Sequence, residues 1–324
     1  MPPKVSVCIP VLNGAKRLPS CLASLRDLDY PAEQIEIIIA DGGSTDNTRE
    51  VTLQYGAHFL DNPGRTVAAG RNVSFSAATG EFIASTDDDC VVPPDWITRA
   101  LSEFRESDVA AVGGISLLPE GSGPWPEAAN YVFRLASRTG HSVQSDHMGS
   151  GDVDDLPGCN VFYRTEMARQ VGGFDEGLIT AEDVDFHIRL RSKGLRLRSA
   201  DGLYVWHDKR PTVRGLFNQL RRYAIGRVQL GRKWPSALST LHNVLGFALP
   251  ISIVITVVGL GLFMPIFAAL VLLLSSLLIL LALKDKVPLK AAVLTPAAAL
   301  VVATGWSVGY LNERFLPMKR ETGG

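Results

Sequence analysis

The sequence predicts an α/β domain, with a mostly parallel sheet and flanking helices, followed by C-terminal transmembrane α-helices. Within residues 1–205, short apolar runs alternate with amphipathic stretches, which is typical of strands and helices in α/β folds. From Val244 to Leu283 there is no charged residue. That run is about twice the roughly 20 residues that one spanning helix needs. The chain is therefore expected to combine a folded domain with an apolar tail.

The predicted strands are short, rich in β-branched residues and bounded by turn residues, which indicates strands buried in a sheet. In chain order they are Val5–Val11, Ile35–Ala40, Glu81–Thr86, Val109–Ser116, Gly158–Arg164 and a last strand that ends at His207.

The helices between these strands are predicted from apolar spacing and from capping residues. Leu18, Leu22, Leu25 and Leu28 recur at spacings of three and four, which gives one apolar helical face. Further helices are predicted after Ser44-Thr45-Asp46, at Thr66–Ala78, at Pro94–Arg105, and around Asp183, His187 and Leu190.

Polar residues follow three of the predicted strands. Asn13 follows the first, Asp41 the second, and Asp87, Asp88 and Asp89 the third. In parallel sheets, ligands bind beyond the carboxyl ends of the strands, so a site is expected there. Adjacent carboxylates repel one another unless a cation or solvent relieves them, and this oxygen-rich set suits Mg²⁺ or Mn²⁺. A solvated acidic turn is the alternative, but the buried strand just before the three aspartates favours a metal site.

Four segments follow from these patterns. They are an α/β domain (1–208), a basic amphipathic juxtamembrane segment (209–243), a transmembrane region of about three helices (244–311) and a polar tail (312–324). Gly259, Gly261 and Pro265 are predicted to form the turn between the first two spans.

Charge and cysteine usage predict a multi-pass protein of the cell membrane with its α/β domain in the cytoplasm. Between Lys209 and Lys284 every charged residue is basic, which favours the cytoplasmic side of a membrane. No signal-peptide pattern opens the chain, and the four cysteines form no CxxC pair. The net charge of −1 gives no electrostatic argument for nucleic acid as a partner. The oligomeric state is left open.

The motifs occur in an order that resembles family 2 of the inverting glycosyltransferases, which have the GT-A fold. The resemblance covers residues 4 to about 225, and each motif is weak alone, whereas the ordered set is specific. The motifs are VCIPVLN (7–13), ADGGSTD (40–46), GRN (70–72), DDD (87–89), GCN (158–160), GGFD (172–175) and AEDVD (181–185).

The resemblance implies a nucleotide-sugar donor site, with UDP favoured over GDP because it is the commonest donor in the family. Base contacts would come from the first two strand ends, and the diphosphate would lie near a guanidinium, whose fork matches phosphate oxygens. The implied donor-binding residues are Pro10, Val11, Asn13, Asp41, Arg71 and Asp88.

The resemblance also implies a site for a divalent metal, Mn²⁺ or Mg²⁺. Asp87 and Asp89 correspond to the DxD motif, with Asp89 in direct metal contact and Asp88 facing the ribose. His207 stands where many family members have a third metal-site residue. A purely structural hydrogen-bonding role is the alternative for His207.

Glu182 and Asp183 match the ED motif of the family, and Asp183 would be the catalytic base. An inverting single displacement needs the acceptor oxygen deprotonated as it attacks the anomeric carbon. The alternative is that these two carboxylates only stabilise the N-terminus of a helix through its dipole, and the two interpretations are compatible.

The basic helix predicted from Thr212 to Lys233 resembles the QxxRW motif of processive family members at Gln219 and Arg222, with Tyr223 in place of Trp. This departure argues against processive polymer synthesis. Gln219, Arg221 and Arg222 are the candidate contacts to an acceptor phosphate, with membrane anchoring as the alternative role.

The predicted function is transfer of one sugar from a nucleotide-diphosphate sugar to a membrane lipid acceptor, a polyprenyl phosphate or a lipid-linked glycan. The mechanism implied is a metal-assisted single displacement. A processive polysaccharide synthase and a non-catalytic, nucleotide-sugar-binding membrane protein are the alternatives.

Overall fold

A computed structural model describes residues 1–137, 149–208 and 212–317 of the chain. These residues form two compact units, treated separately below. The first unit holds residues 1–119, 149–176 and 182–208, and the second holds 120–137, 177–181 and 212–317. Lys209 and Arg210 of the predicted basic segment, and residues 318–324 of the predicted polar tail, lie outside the described residues.

The first unit is built on one nine-stranded sheet. Its strands are β1 (Val5–Val11), β2 (Ile35–Asp41), β3 (His58–Asp61), β4 (Phe82–Ser85), β5 (Cys90–Val91), β6 (Val109–Leu117), β7 (Gly151–Asp152), β8 (Val161–Arg164) and β9 (Arg196–His207). The order across the sheet is β3-β2-β1-β4-β8-β6-β9-β5, with β7 also paired to β9.

The sheet is mixed in strand direction. The predicted parallel pairing is confirmed for β1 with β2, β2 with β3, β1 with β4 and β6 with β9. Strand β8 enters antiparallel between β4 and β6, and β5 and β7 pair antiparallel with β9. The α/β prediction is therefore confirmed, while the later half of the sheet is less parallel than the sequence predicts.

Helices cover both faces of this sheet. The helices of the first unit are α1 (Leu18–Arg26), α2 (Thr48–Gln54), α3 (Val67–Ala77), α4 (Trp96–Leu101), α6 (Thr165–Gln170) and α7 (Glu182–Ser192). Those of the second are α5 (Pro124–Ser137), α8 (Val213–Lys233), α9 (Thr240–Gly246), α10 (Ala248–Lys284) and α11 (Leu289–Phe315).

Alternation along β1 explains the two cores of the first unit. Val7 and Ile9 point into a core shared with the leucines of α1, while Cys8 points into the opposite core with Phe75 and Phe186. All three β1 residues are fully buried, as expected for a strand with helices on both faces. This central position fixes where the end of β1 and the ends of its neighbours meet.

Three strands, β3, β5 and β7, were not predicted. β3 is a four-residue edge strand with exposed ends, and β5 and β7 have only two residues each. None of these segments is long enough to give a readable alternation of apolar and polar residues. β5 matters for the site, because it places Cys90 opposite His207 of β9.

The apolar tail of the second unit differs from the prediction. α10 runs through Gly259, Gly261 and Pro265, so the predicted turn is wrong, and two helices, α10 and α11, occupy the region where about three were expected. Helical backbone satisfies its own hydrogen bonds, which favours continuity where few polar groups offer alternatives. Among the described residues, one helix, Leu289–Phe315, is long and apolar enough to cross a membrane, and Ala268–Lys284 is a shorter apolar stretch.

The basic helix α8 packs against α11 at two glycines four residues apart. A Cβ at Gly305 would lie 2.8 Å from the carbonyl oxygen of Phe217, and one at Gly309 would lie 2.1 Å from that of Arg221. Small residues at this spacing let helix backbones approach closely. Arg232 of α8 also forms a 2.5 Å ion pair with Glu313, which is 1% exposed. One face of α11 is therefore closed by protein.

We expect Gly309→Ala to lower the melting temperature of the detergent-solubilised protein. Alanine improves intrinsic helix propensity by about 1 kcal/mol, but overpacking of this kind costs about 1–3 kcal/mol. The matched control is Gly149→Ala, since nothing lies within 4 Å of a Cβ there. Equal melting temperatures for Gly309→Ala and wild type would contradict the close helix packing.

Candidate active site

Three predicted metal-site residues meet at one end of the sheet. Asp87 and Asp89 lie in the turn that links β4 to β5, and His207 is the last residue of β9. The antiparallel pairing of β5 with β9 brings His207 next to this turn. One carboxylate oxygen of each aspartate and one imidazole nitrogen of His207 lie within 4.8 Å of one another. Two hard oxygen ligands and one nitrogen suit Mn²⁺ or Mg²⁺, so the residues fit such a cation.

The three aspartates of the turn have different partners. The Nε2 atom of His207 lies 3.1 Å from Oδ1 of Asp89. Asp88 is buried and accepts a 2.6 Å hydrogen bond from Nη2 of Arg17. Nη2 of Arg71 lies 3.6 Å from Oδ1 of Asp87. Adjacent carboxylates are thus separated by pairing each with a different cationic group.

Burial and charge shift the pKa values of two of these groups. Burial raises the pKa of Asp87 to about 7, with Cys159 adding to the shift and Arg71 and His207 opposing it. Burial lowers the pKa of His207, but Cys159 and Asp89 outweigh it and raise that pKa to about 10. Below pH 7, both groups therefore hold protons that a bound cation must displace.

A second group of charges surrounds Arg71, which α3 supplies and which is 4% exposed. Its Nη1 atom donates a 2.5 Å hydrogen bond to Oε1 of the buried Glu182. Its Nη2 atom faces Asp87, and its guanidinium lies 5.7 Å from the ring centre of Phe174. The buried Nε atom has no hydrogen-bond partner among the described residues.

Asp183 lies beside Glu182 in the first turn of α7. Its Oδ2 atom accepts a 3.2 Å hydrogen bond from the backbone N–H of Gly158, and its Oδ1 atom accepts one from the N–H of Val184. A Cβ at Gly158 would lie 2.7 Å from Nη2 of Arg71 and 2.9 Å from Oδ2 of Asp183. Glycine at position 158 therefore allows the backbone to lie this close to the side chains of Arg71 and Asp183.

The predicted base-pocket residues lie at the ends of β1 and β2. Val11 is directly opposite Asp41 in the parallel ladder, and Pro10 precedes it. Asp41 accepts hydrogen bonds from the N–H groups of Gly43 (3.0 Å) and Ser44 (2.9 Å).

Asn13 lies in the loop that follows β1. Its backbone is left-handed, with φ 52°, a conformation that asparagine tolerates better than most residues. Its Oδ1 atom accepts a 2.9 Å hydrogen bond from the N–H of Thr45. The side chain of Asn13 thus links the loops after β1 and β2, while Asp41 orders its own loop.

The predicted acceptor residues belong to the second unit. Gln219, Arg221 and Arg222 lie on α8. Gln219 donates a 3.0 Å hydrogen bond to the hydroxyl of Tyr223, and Arg222 is exposed. Tyr223, which replaces the Trp of the QxxRW pattern, is therefore a partner of the matching Gln219.

Two features of the site have no readable signal in the sequence. Arg17, the partner of Asp88, lies 71 residues away in the chain, and no local pattern marks it. Cys90 and Cys159 lie beside His207 and form a further group of potential metal ligands. Their spacing resembles no cysteine motif, so only strand register reveals the group.

The chain belongs to glycosyl transferase family 2, because the model of that family matches residues 6–172, more than half of its 324 residues. It is accordingly a glycosyltransferase. The ordered motifs thus predicted the family and the class of activity correctly.

Named relatives agree with this assignment. Glycosyltransferase AglE of Haloferax volcanii is 27% identical over 253 residues, covering 76% of this chain and 79% of its own. The pre-mycofactocin glycosyltransferase of Mycobacterium tuberculosis is 30% identical over 243 residues, covering 73% and 49%. The dolichyl N-acetyl-alpha-D-glucosaminyl phosphate 3-beta-D-2,3-diacetamido-2,3-dideoxy-beta-D-glucuronosyltransferase of Methanococcus voltae is 26% identical over 281 residues, covering 82% and 85%.

Solved structures agree on the fold. The mannosyltransferase PcManGT of Pyrobaculum calidifontis, in complex with GDP-Man and Mn²⁺, has a TM-score of 0.69 and 19% identity, and the match covers 94% of this chain and 87% of that one. TarS 1–349 of S. aureus in complex with UDP-GlcNAc has a TM-score of 0.51 and 18% identity, over 96% and 91%. The GT-A fold predicted from the motifs is confirmed.

We expect the affinity for Mn²⁺ to rise with pH. Asp87 and His207 ligate only when deprotonated, and their pKa values of about 7 and about 10 lie above the ordinary ones. Each displaced proton contributes up to about tenfold in affinity per pH unit below its pKa. Titration of metal-free protein between about pH 6 and pH 8, followed by the EPR signal of free Mn²⁺, measures this. An affinity that stays constant across this range would contradict the assignment of these ligands.

We expect Arg71→Met to destabilise the protein, because it leaves Glu182 buried without its cation. Breaking a buried pair in this way costs about 3–5 kcal/mol. Arg71→Lys should cost less, since it keeps the charge but lacks the fork that faces both Glu182 and Asp87.

Urea unfolding measures both variants of Arg71. The matched control is the double variant Arg71→Met with Glu182→Leu, which removes the uncompensated charge and should recover part of the loss. Strictly additive effects of the two substitutions would show that the pair is not coupled.

Proposed function

We propose that this protein transfers one sugar from a nucleoside-diphosphate sugar to a membrane lipid acceptor, with inversion at the anomeric carbon. The observation that carries this proposal is that two pairs of carboxylates lie on either side of Arg71. One pair is Asp87 and Asp89, and the other is Glu182 and Asp183. A metal-side group and a base-side group are the two parts that a single displacement requires.

We assign binding of the sugar donor to the end of the sheet where Asp87, Asp89 and His207 lie. Asp87, Asp89 and His207 would hold Mn²⁺ or Mg²⁺, which when bound neutralises diphosphate charge. Arg71 is cationic and lies 3.6 Å from Asp87, so it stands near the expected diphosphate position. Pro10, Val11, Asn13 and Asp41 would form the wall for the base, with Asp88 toward the ribose. Both GDP and UDP complexes occur among the structural neighbours, and UDP is our first choice from the family resemblance.

The acceptor side is assigned to Asp183. Its carboxylate is oriented by the N–H of Gly158 and by its own helix, so it is positioned to accept the proton of an acceptor hydroxyl. Glu182 is occupied by Arg71 and serves to orient that guanidinium. An acceptor phosphate is already ionised, and its transfer would depend less on Asp183.

The lipid nature of the acceptor is inferred from the second unit. Along α10 and α11 large apolar side chains are exposed, including Leu272, Leu273 and Leu300 at 67%, 64% and 63%. Exposed apolar surface of this extent marks a membrane-facing region. We infer a multi-pass attachment through α10 and α11, with the first unit on the cytoplasmic side, where the basic α8 favours it. Gln219, Arg221 and Arg222 would meet the acceptor phosphate or anionic headgroups.

We expect Asp89→Ala and Asp183→Asn each to reduce sugar transfer to a hydroxyl acceptor by at least about 100-fold, as expected for loss of a cation ligand or a general base. The assay uses the full chain in detergent, a panel of UDP- and GDP-sugars with Mn²⁺, and a lipid extract, with radioactive sugar followed into the lipid phase. The matched control is Asp201→Asn, an exposed aspartate of β9 outside the family motifs. Wild-type transfer rates in both site variants would overturn the mechanism.

Product length separates single transfer from processive synthesis. We expect a single added sugar on a gel, and a ladder would favour a polysaccharide synthase. Donor binding in a thermal-shift assay, without turnover on any lipid extract, would favour the non-catalytic alternative.

A further inference from the structure

Cys90, Cys159 and His207 form a compact group of metal ligands behind the carboxylate site. Cys90 lies directly opposite His207 in the antiparallel ladder of β5 with β9. Cys159 lies in the turn before β8, where the N–H of Asn160 donates to the carbonyl of Pro157. The two sulfur atoms and one imidazole nitrogen lie within 4.8 Å of one another. Sheet register therefore gathers three ligands from three separate segments.

The spacing of these atoms suits a tetrahedral thiophilic cation. With Zn–S and Zn–N bonds of ordinary length, neighbouring ligand atoms of a tetrahedral site lie about 3.5–3.8 Å apart. The Sγ atom of Cys159 lies 3.7 Å from Nδ1 of His207. The group needs only small side-chain adjustments to close around a cation, and it leaves a fourth position for water.

His207 is shared between this group and the carboxylates. Its Nδ1 atom faces Cys159, whereas its Nε2 atom faces Asp89 at 3.1 Å. A neutral imidazole has one lone pair available and therefore ligates one cation at a time. Oxygen-rich Asp87 and Asp89 favour hard cations, and the two thiols favour soft ones.

We propose that Cys90, Cys159 and His207 form a second cation site, selective for a thiophilic divalent ion such as Zn²⁺, which excludes His207 from the carboxylate site when filled. The thiols release their protons to solvent as the two metal–sulfur bonds form. Access is from the carboxylate side, because Cys90 is fully buried whereas the side chains of Asp87 and His207 are 30% and 19% exposed. Zn²⁺ thereby acts as an antagonist of Mn²⁺ binding through one shared side chain.

The first test uses Cd²⁺ as a spectroscopic probe on the metal-free full chain in detergent. We expect one equivalent of Cd²⁺ to give the ultraviolet charge-transfer absorption of cadmium–thiolate bonds. Cys90→Ser and Cys159→Ser should each weaken binding by at least about 100-fold, since each thiolate is one of three protein ligands. Cys8→Ser and Cys21→Ser are matched controls, because both cysteines are equally buried and lie outside this ligand group. Undiminished charge-transfer absorption in Cys90→Ser and Cys159→Ser overturns the site.

A second measurement needs no variant, which covers the case in which Cys90→Ser fails to fold. Zinc X-ray absorption of the Zn²⁺-loaded wild-type chain should give two sulfur ligands and at least one nitrogen ligand. A shell of oxygen and nitrogen alone would overturn the proposal, because it would place zinc on the carboxylates.

Antagonism is tested by EPR titration of Mn²⁺ with and without one equivalent of Zn²⁺. We expect Zn²⁺ to weaken Mn²⁺ binding in wild type and to have a smaller effect in Cys159→Ser. An equal effect in both proteins shows direct competition at the carboxylates and overturns the shared-ligand inference. Asp183→Asn should keep the Cd²⁺ absorption, so loss of sugar transfer and loss of the thiolate site remain distinguishable.

Discussion

The buried guanidinium of Arg71 is the interaction on which the geometry of the site depends. It is the cation between Glu182 at 2.5 Å and Asp87 at 3.6 Å, and Gly158 must lack a side chain to leave it room. A buried ion pair contributes little net stability once desolvation is counted, so positioning is the physical gain from this arrangement. The two pairs of carboxylates, one with Asp87 and one with Glu182, are therefore held at a fixed separation before any ligand binds.

Strand direction determines which residues reach that guanidinium. The parallel strands β1, β2 and β4 all end at the same edge, which brings Asp41 and the three aspartates there. The antiparallel β8 then places Gly158 at the same edge, just before the strand begins. A uniformly parallel sheet would put that turn at the opposite end. The mixed topology is thus a requirement of the site.

Local patterns in the sequence were sufficient for part of this structure. The apolar run Val5–Val11 predicted β1 to the residue, and Thr66 caps α3 by accepting from the N–H of Ala69. Pairings such as Arg17 with Asp88 depend on contacts 71 residues apart, which no local periodicity encodes. The predicted turn at Pro265 failed because glycine and proline are weak signals in an apolar segment, where a continuous helix keeps its backbone hydrogen bonds.

The place of β9 in the chain has a consequence for biosynthesis. β9 is the last strand of the first unit, and His207 is its final residue. A growing chain on the ribosome therefore carries Asp87 and Asp89 while a further 118 residues, 90 to 207, are added to reach their imidazole neighbour. Domains generally fold as units during translation, so the part of the sheet that holds Asp87, Asp89 and His207 forms late. The apolar helices α10 and α11 are synthesised only afterwards, so every ligand of the carboxylate site has been made before the apolar segment begins.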